Sequence, residues 1–333
     1  MSSLPSTMKA VVLSGMGGTE MLKYSETQPL PELNEGEVLV KNVFAGINFV
    51  DIYYRTGVYH SKSLPDIIGN EAAGTIVAIR EPNPLGFKIG DRVAWTGRGA
   101  YAEYTAVNHA TCVIIPSEVS DRDAASVLLM GMTALSLVKK AYAVQRGQTV
   151  LVHAAAGGIG LLMCQILKDI GAIVIGTAGS LQKCALAKEN GATHVIDYRA
   201  SSGAGWIEQV KEITHGEGVD VVYDSVGKDT WEGSMDVAKR NGKVVFTGIA
   251  SGPIPDTLMQ RLGEKNVSVM RSSLKNMIAT RPEFEFYATS VLDHLKNGKI
   301  KVKIHDVYSL SNVPRAHEEL EGRNTTGKLL VKL

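Results

Sequence analysis

The run at residues 150–170, VLVHAAAGGIGLLMCQILKDI, decides the fold. Val150–Ala154 reads as a short buried strand, and Gly160–Ile170 as a helix that Gly171 closes in the position favouring left-handed backbone. Between them lies Ala154-Ala155-Ala156-Gly157-Gly158-Ile159-Gly160. A strand, a turn of small residues and a helix start form the context that a dinucleotide fingerprint requires. Small side chains let the backbone approach a pyrophosphate, and the helix start offers N–H donors at the positive end of its dipole. Ala156, Gly157, Gly158, Ile159 and Gly160 are therefore candidate coenzyme-binding residues. Ala155 stands where the first glycine of G-x-G-x-x-G would be, so the match is imperfect. Val150–Leu167 carries no Asp, Glu, Lys or Arg and approaches the length of a membrane helix. Its three glycines, with His153 and Gln165, favour the strand–turn–helix reading.

Downstream, strands and helices alternate. Strands are expected at Ile173–Thr177, Thr193–Asp197, Val219–Asp224, Lys243–Gly248 and Val267–Arg271. Helices are expected at Leu181–Asn190, Trp206–Thr214 and Thr230–Lys239. This alternation predicts a doubly wound parallel sheet of Rossmann type. Upstream, Met8–Ser14, Glu37–Ala45, Gly74–Ile79 and Tyr101–Val107 read as strands between glycine and proline turns, a β-rich domain. A helix from Ser120 or Asp121 to about Ala143 carries the chain between the two. The last fifty residues read as helix Pro282–Asn297, strand Ile300–Tyr308, helix Val313–Glu321 and strand Lys328–Leu333. They are too few for a domain and are expected to complete the first. The division is 1–132 with 275–333, and 133–274.

The balance of charge excludes several functions. Thirty-five Lys and Arg against 34 Asp and Glu leave +1 over 333 residues, which gives no basic footprint for nucleic acid. A hydrophobic fraction of 44% excludes a disordered chain. Three cysteines, Cys112, Cys164 and Cys184, cannot make a disulfide framework or a four-cysteine zinc site. The polar start Met1–Thr7 carries no signal-peptide pattern, so a cytoplasmic, non-membrane protein is expected.

The second strand of the Rossmann half ends in Gly176-Thr177-Ala178-Gly179-Ser180, with no acid to hold ribose hydroxyls. Lys183 follows on the next helix. A missing carboxylate removes repulsion of a 2′-phosphate, Lys183 adds attraction and Ser180 a hydrogen bond. One hydrogen bond to a charged group gives a preference of about 10–150-fold, here for NADPH over NADH. The plain reading of Lys183 alone is a solvated helix lysine. Gly179 and Tyr198 lie at the same end and could cover the adenosine. Thr247 and Gly248 end the fifth strand at the carboxyl edge, where open sheets bind ligands.

Several segments together resemble one family. Gly46-Ile47-Asn48-Phe49-Val50-Asp51-Ile52-Tyr53-Tyr54-Arg55-Thr56-Gly57, Gly69-Asn70-Glu71-Ala72-Ala73-Gly74, the glycine turn, Tyr223-Asp224-Ser225-Val226-Gly227 and, more loosely, Gly322–Lys328 are similar to the zinc-free, zeta-crystallin-type quinone oxidoreductases of the medium-chain dehydrogenase/reductase superfamily. The resemblance implies a GroES-like catalytic domain with a Rossmann domain, NADPH as hydride donor, quinones as acceptors and a homodimer. It places Asn48 and Tyr53 at the nicotinamide and acceptor, each able to donate a hydrogen bond to a developing oxyanion. It places Gly131 and Thr133 toward the nicotinamide or its phosphates and Arg323 on the nicotinamide side; Ser272 and Leu274, after the sixth strand, are expected to bind the carboxamide through backbone groups. The plain alternatives are helix packing for Gly131 and Thr133, and a surface position for Arg323. Asp51 and Arg55 are four apart on one helical face, either an ion pair holding the loop or direct participants in catalysis. Zinc members carry Cys and His where this chain has Asn48 and Asn70, and amides are poor zinc ligands; no metal is expected.

Two other readings stay open. The same coenzyme half would serve a reductase of enones or 2-alkenals. Some relatives bind RNA, and Lys296, Lys299, Lys301 and Lys303 could be offered as a patch. Their alternation fits better the solvated face of an edge strand.

Overall fold

The structure is a computed structural model, and it describes residues 4–60, 63–200, 205–255 and 258–333. Of the polar start, residues 1–3 therefore lie outside the described part. The chain divides into two compact units, residues 1–129 with 280–298 and 302–333, and residues 130–279 with 299–301.

The first unit is β-rich. It contains β1 (Thr7–Leu13), β2 (Leu22–Pro29), β3 (Glu37–Ile47), α1 (Phe49–Arg55), β4 (Asp66–Ile67), β5 (Glu71–Ile79), β6 (Arg92–Thr96), β7 (Tyr104–Asn108) and β8 (Cys112–Ile114). The helix α2 (Asp121–Ser136), extended by a π-helical turn at Leu137–Ala141, then passes into the second unit. Ser120 caps α2, its Oγ accepting the Asp123 N–H at 3.1 Å. This helix is long and apolar enough to cross a membrane, but 78% of its apolar window is buried inside the protein, as in a core helix.

The second unit alternates as the sequence predicts. Its elements are β9 (Thr149–Val152), α3 (Gly158–Ile170), β10 (Ile173–Ala178), α4 (Leu181–Glu189), β11 (His194–Asp197), α5 (Trp206–Ile213), β12 (Val219–Asp224), α6 (Trp231–Val237), β13 (Ala238–Phe246), α7 (Leu258–Lys265), β14 (Ser268–Arg271) and α8 (Leu274–Met277). The strands form one parallel sheet in the order β11-β10-β9-β12-β13-β14. The order reverses between β9 and β12, which is where open α/β sheets bind ligands. Gly171 closes α3 with φ +86°. The chain returns to the first unit through α9 (Arg281–Lys296), β15 (Ile304–Ser309), α10 (Val313–Glu321) and β16 (Lys328–Lys332). There β16 pairs with β3, within a sheet ordered β15-β16-β3-β5-β6-β8.

Two expectations are corrected. The helix read as Thr230–Lys239 stops at Val237, because Ala238 pairs with Val219 in the parallel ladder. Val237 and Ala238 are wholly buried in that sheet's core, and strand pairing overrides the helical pattern. Lys299–Lys303 is not a strand. Gln165 of α3 instead holds both sides of the Lys301 peptide, at 2.7 and 3.0 Å, and β15 starts only at Ile304.

The imperfect glycine fingerprint has a structural counterpart. Ala155 is fully buried, and its methyl lies 2.8 Å from where a Cβ on Gly176 would stand. The room that a glycine at 155 would leave is supplied instead by a glycine on the neighbouring strand. Gly176→Ala is therefore expected to cost about 1–3 kcal/mol by overpacking. Adding Ala155→Gly should recover most of that loss in urea unfolding; a double variant no better than Gly176→Ala contradicts the pairing.

Candidate functional site

The glycine turn opens α3 as a binding loop requires. Ala154 sits in left-handed backbone, φ +51°, and the turn closes through Gly157 N–H donating to Ala154 O at 2.9 Å. A Cβ on Gly160 would lie 2.7 Å from Ala155 Cα and closer still to Ala154 O, so only glycine fits there. Gly157, Gly158 and Ile159 are half-buried, and Ala156 is buried. The first turn of α3 leaves its N–H groups without intrahelical partners at the positive end of a 13-residue dipole.

The adjoining strand ends carry the adenosine-side residues. Ser180 is the N-cap of α4, its Oγ accepting the Lys183 N–H at 3.3 Å. A Cβ on Gly179 would lie 2.7 Å from the Tyr198 hydroxyl, so Tyr198 stands over this glycine while 44% exposed. The Lys183 ammonium is pushed below its ordinary pKa by burial and by the nearby charge of Arg199. Gly179, Ser180, Lys183 and Tyr198 are thus brought together. Arg199 joins them, a residue the sequence reading passed over.

At the other strand ends, the fully buried Asp224 organises the loops. Its Oδ1 accepts the Val226 and Gly227 N–H groups at 2.8 and 3.0 Å, and its Oδ2 accepts the hydroxyls of Thr230 and Ser234, both at 2.7 Å. His153 continues the chain, with Nε2 3.1 Å from Ser234 Oγ and Nδ1 2.9 Å from Thr177 Oγ1. Burial lowers the His153 pKa against the opposing pull of Asp224. His153, Ser234 and Asp224 have the composition of a nucleophilic triad but not its order, because the Ser234 proton is spent on Asp224. Thr247 N–H donates to Asp224 O at 2.7 Å, and a Cβ on Gly248 would lie 2.5 Å from Ser225 O. Ser272 N–H donates to Phe246 O at 2.9 Å, which places Ser272 at the same edge, with Leu274 opening α8. Gly131 is buried and Thr133 half-buried on α2, where the Thr133 carbonyl accepts the Ser136 hydroxyl at 3.0 Å.

In the β-rich unit, Asn48 is the N-cap of α1 and only 7% exposed. Its Nδ2 donates to Glu71 Oε1 at 2.8 Å and to Gly46 O at 3.2 Å. Its Oδ1 accepts from the Lys328 ammonium at 2.7 Å. Lys328 also donates to Ile47 O at 3.0 Å and Glu71 Oε1 at 2.5 Å, so all three of its protons are engaged. The second oxygen of Glu71 accepts the Leu129 N–H of α2 at 2.8 Å. Glu71 and Lys328 are 0% and 1% exposed. The expected donation from Asn48 to an oxyanion is corrected: both of its amide protons are committed within the frame.

Asp51 and Arg55 do not pair with each other. Asp51 accepts the Asn48 N–H at 2.8 Å, the Asn70 amide at 2.5 Å and the Tyr101 hydroxyl at 2.6 Å. Arg55 donates to Gly17 O at 2.7 Å and forms an ion pair with Glu321. Asp51 is fully buried and Arg55 2% exposed, so both hold α1 in place rather than reach a ligand. Burial raises the Asp51 carboxyl to about 6 against its hydrogen bonds. The Tyr101 oxygen lies 3.2 Å from His317 Nε2. Since Tyr101 donates to Asp51, His317 carries its proton on Nε2, and Nδ1 is left without a partner among the described residues. Burial and the Arg55 charge push the His317 pKa down to about 3. Tyr53 packs edge-on against Phe49 and Tyr59, with centroids 5.5 and 5.2 Å apart. Arg323 is exposed in left-handed backbone after α10.

Glu71, Lys328, Tyr101 and His317 were not picked out from the sequence as site residues. Glu71 and Lys328 carried a signal, each a lone charge heading an apolar strand, Glu71-Ala72-Ala73 and Lys328-Leu329-Leu330-Val331.

The zinc positions of the superfamily do not suit zinc here. Asn48 and Asn70 are neutral amides, both Glu71 oxygens are occupied, and an ammonium lies against Asn48 Oδ1. Among the described residues no three His, Cys, Asp or Glu are grouped to hold a metal.

The Glu71–Lys328 pair makes a direct prediction. Lys328→Met leaves a buried carboxylate uncompensated and should cost about 3–5 kcal/mol. The double variant Glu71→Gln/Lys328→Met should be more stable than the sum of the single losses, by about 1–3 kcal/mol in urea unfolding. Strict additivity contradicts the pair.

Comparisons with known proteins agree with this geometry. Residues 34–117 match the alcohol dehydrogenase GroES-like domain, and residues 158–290 match the zinc-binding dehydrogenase family. A quinone oxidoreductase of Salmonella typhimurium is 41% identical over 320 residues, 95% of this chain and 96% of its own. One from Pseudomonas aeruginosa is 38% identical over 326 residues, 97% and 99% of the two chains. The crystal structure of Escherichia coli quinone oxidoreductase complexed with NADPH superposes with a TM-score of 0.93 at 37% identity, covering 98% of this chain and all of that one. Identity at this level along nearly the whole length shows that the chain belongs to the quinone oxidoreductase family of the medium-chain dehydrogenase/reductase superfamily.

Proposed function

We propose that this chain reduces quinones, ortho-quinones among them, with NADPH as reductant and without a metal. The observation that carries the reading is the glycine turn opening α3 beside a strand end that bears Ser180 and Lys183 where an NADH site would carry a carboxylate. In this reading the N–H groups from Gly157 to Gly160 hold the pyrophosphate, and Ser180, Lys183 and Tyr198 hold the 2′-phosphate. Gly131 and Thr133 on α2, with Thr247, Gly248, Ser272 and Leu274, bind toward the nicotinamide. Bound NADPH supplies the hydride.

In this reading the β-rich unit supplies the acceptor-side groups, as the family resemblance implies. Asn48, its amide protons committed to Glu71 and Gly46, frames the acceptor side. Tyr53 offers a hydroxyl to the acceptor oxygen that gains charge, and its aromatic neighbours Phe49 and Tyr59 suit a planar ring. A quinone is already electrophilic, so orientation of the two planar groups provides much of the acceleration.

Steady-state oxidation of NADPH and of NADH by phenanthrenequinone tests the reading. The expected result is a kcat/KM at least about tenfold higher with NADPH, falling about tenfold or more in Lys183→Ala while the NADH value holds. Equal use of the two coenzymes would overturn the 2′-phosphate assignment. NADPH binding without quinone turnover would move the acceptor to enones or 2-alkenals.

A further inference from the structure

Two asparagines bond the buried Asp51 carboxylate, and they differ in what they have left to give. Asp51 Oδ2 accepts the Asn48 backbone N–H at 2.8 Å and the Tyr101 hydroxyl at 2.6 Å, and Oδ1 accepts a side-chain N–H of Asn70 at 2.5 Å. Asn48 is buried with both side-chain protons committed, to Glu71 and to Gly46 O. Asn70 is half-buried, and among the described residues its side chain makes no hydrogen bond besides the one to Asp51. A primary amide carries two N–H groups and one C=O, and an ionised carboxylate only accepts. Asp51 therefore fixes which end of the Asn70 amide is nitrogen, and one N–H stays uncommitted.

The backbone that carries Asn70 is held as closely. Asn70 O accepts the Gly97 N–H at 3.1 Å, and Gly69 O and Ile68 O accept the Ala100 and Tyr101 N–H groups at 3.3 and 3.0 Å. Gly69 has φ +95°, and a Cβ there would lie 2.9 Å from Tyr101 N, so the turn before Asn70 admits only glycine. On the other side, Glu71 is locked in its pair with Lys328. A half-exposed donor is thus fixed by its chain neighbours and by Asp51, which sits in the same helix, α1, as Tyr53.

Accepting a hydride turns a neutral quinone into a hydroquinone monoanion, with NADPH leaving as NADP+, and the charge rests on an oxygen until solvent supplies a proton. A donor already in place for that oxygen stabilises the step without reorganisation. We propose that Asn70 is a catalytic residue of quinone reduction, its uncommitted amide N–H donating to the acceptor oxygen that gains charge. The proposal rests on the quinone reading above and adds a second donor beside Tyr53.

The test compares Asn70→Ala and Asn70→Ser with the wild type, as full-length protein at about pH 8, above the value of about 6 to which burial raises the Asp51 carboxyl. Serine keeps one proton for Asp51 and has none to spare, so it removes the proposed donor even if alanine disturbs the frame. The NADPH Kd is read by nicotinamide fluorescence, and kcat and KM with a series of quinones of falling electrophilicity. The expected result is a fall in kcat/KM of about 10–100-fold in both variants, with the NADPH Kd within about twofold of the wild type. The fall should be steeper for the less electrophilic quinones, whose anions need more stabilisation, whereas damage to the fold lowers turnover of every quinone by one factor. Variants as fast as the wild type, or slowed by the same factor with every quinone, overturn the proposal and leave the quinone reading intact. A loss of NADPH binding that matches the loss of turnover overturns it too, since Asn70 would then be part of the frame alone. A wild type that binds NADPH and reduces no quinone overturns the quinone reading, and the proposal with it.

Discussion

A single buried ion pair fixes the part of the β-rich unit that carries Asn48 and α1. Glu71 heads β5, Lys328 heads β16, and both flank the end of β3, whose last residues lead into Asn48. Desolvating two charges costs several kcal/mol per ion, and the cost is offset only if every lone pair and proton finds a partner. Here they do: the ammonium has three acceptors, and the carboxylate has donors from Lys328, Asn48 and the Leu129 backbone. Gly46 is part of the same constraint, because a Cβ there would lie 2.8 Å from Ala125 O and press on the Glu71 carboxylate. The pair joins residues 257 apart in sequence, which explains why the last strand must return to the first unit.

That arrangement decides the chemistry left to each side chain. With both amide protons spent on Glu71 and Gly46, Asn48 has none left to donate. Asp51 and Arg55 become parts of the frame that holds α1. The same logic operates in the other unit, where one buried carboxylate, Asp224, holds the loops at the carboxyl ends of β12 and β13 through two N–H groups and two hydroxyls. In each unit a buried acid, fully satisfied, positions a loop.

What the sequence made legible was local. The turn at residues 154–160, each strand–helix step of the alternation and the Ser180/Lys183 pair each rest on residues close together in sequence. What it hid was long-range. Tyr101 and His317 meet across 216 positions, and no spacing rule links them. The compensation between Ala155 and Gly176 crosses two strands. The lysine alternation at 299–303 misled because period two is also the pattern of an extended segment held by a side chain, here Gln165, and the end of α6 was lost to a ladder pairing that only the sheet reveals. Arg199 was passed over because an arginine after a strand looks like any surface charge until Gly179 is seen beneath it.

The central proposal is that NADPH and the chain's own side chains suffice for quinone reduction, without a metal. It is tested most directly by single-turnover oxidation of NADPH with phenanthrenequinone, followed at 340 nm, on protein stripped of metal and verified to be so. The account predicts the same rate before and after stripping, unchanged by added zinc. A rate lost on stripping and restored by zinc would contradict it.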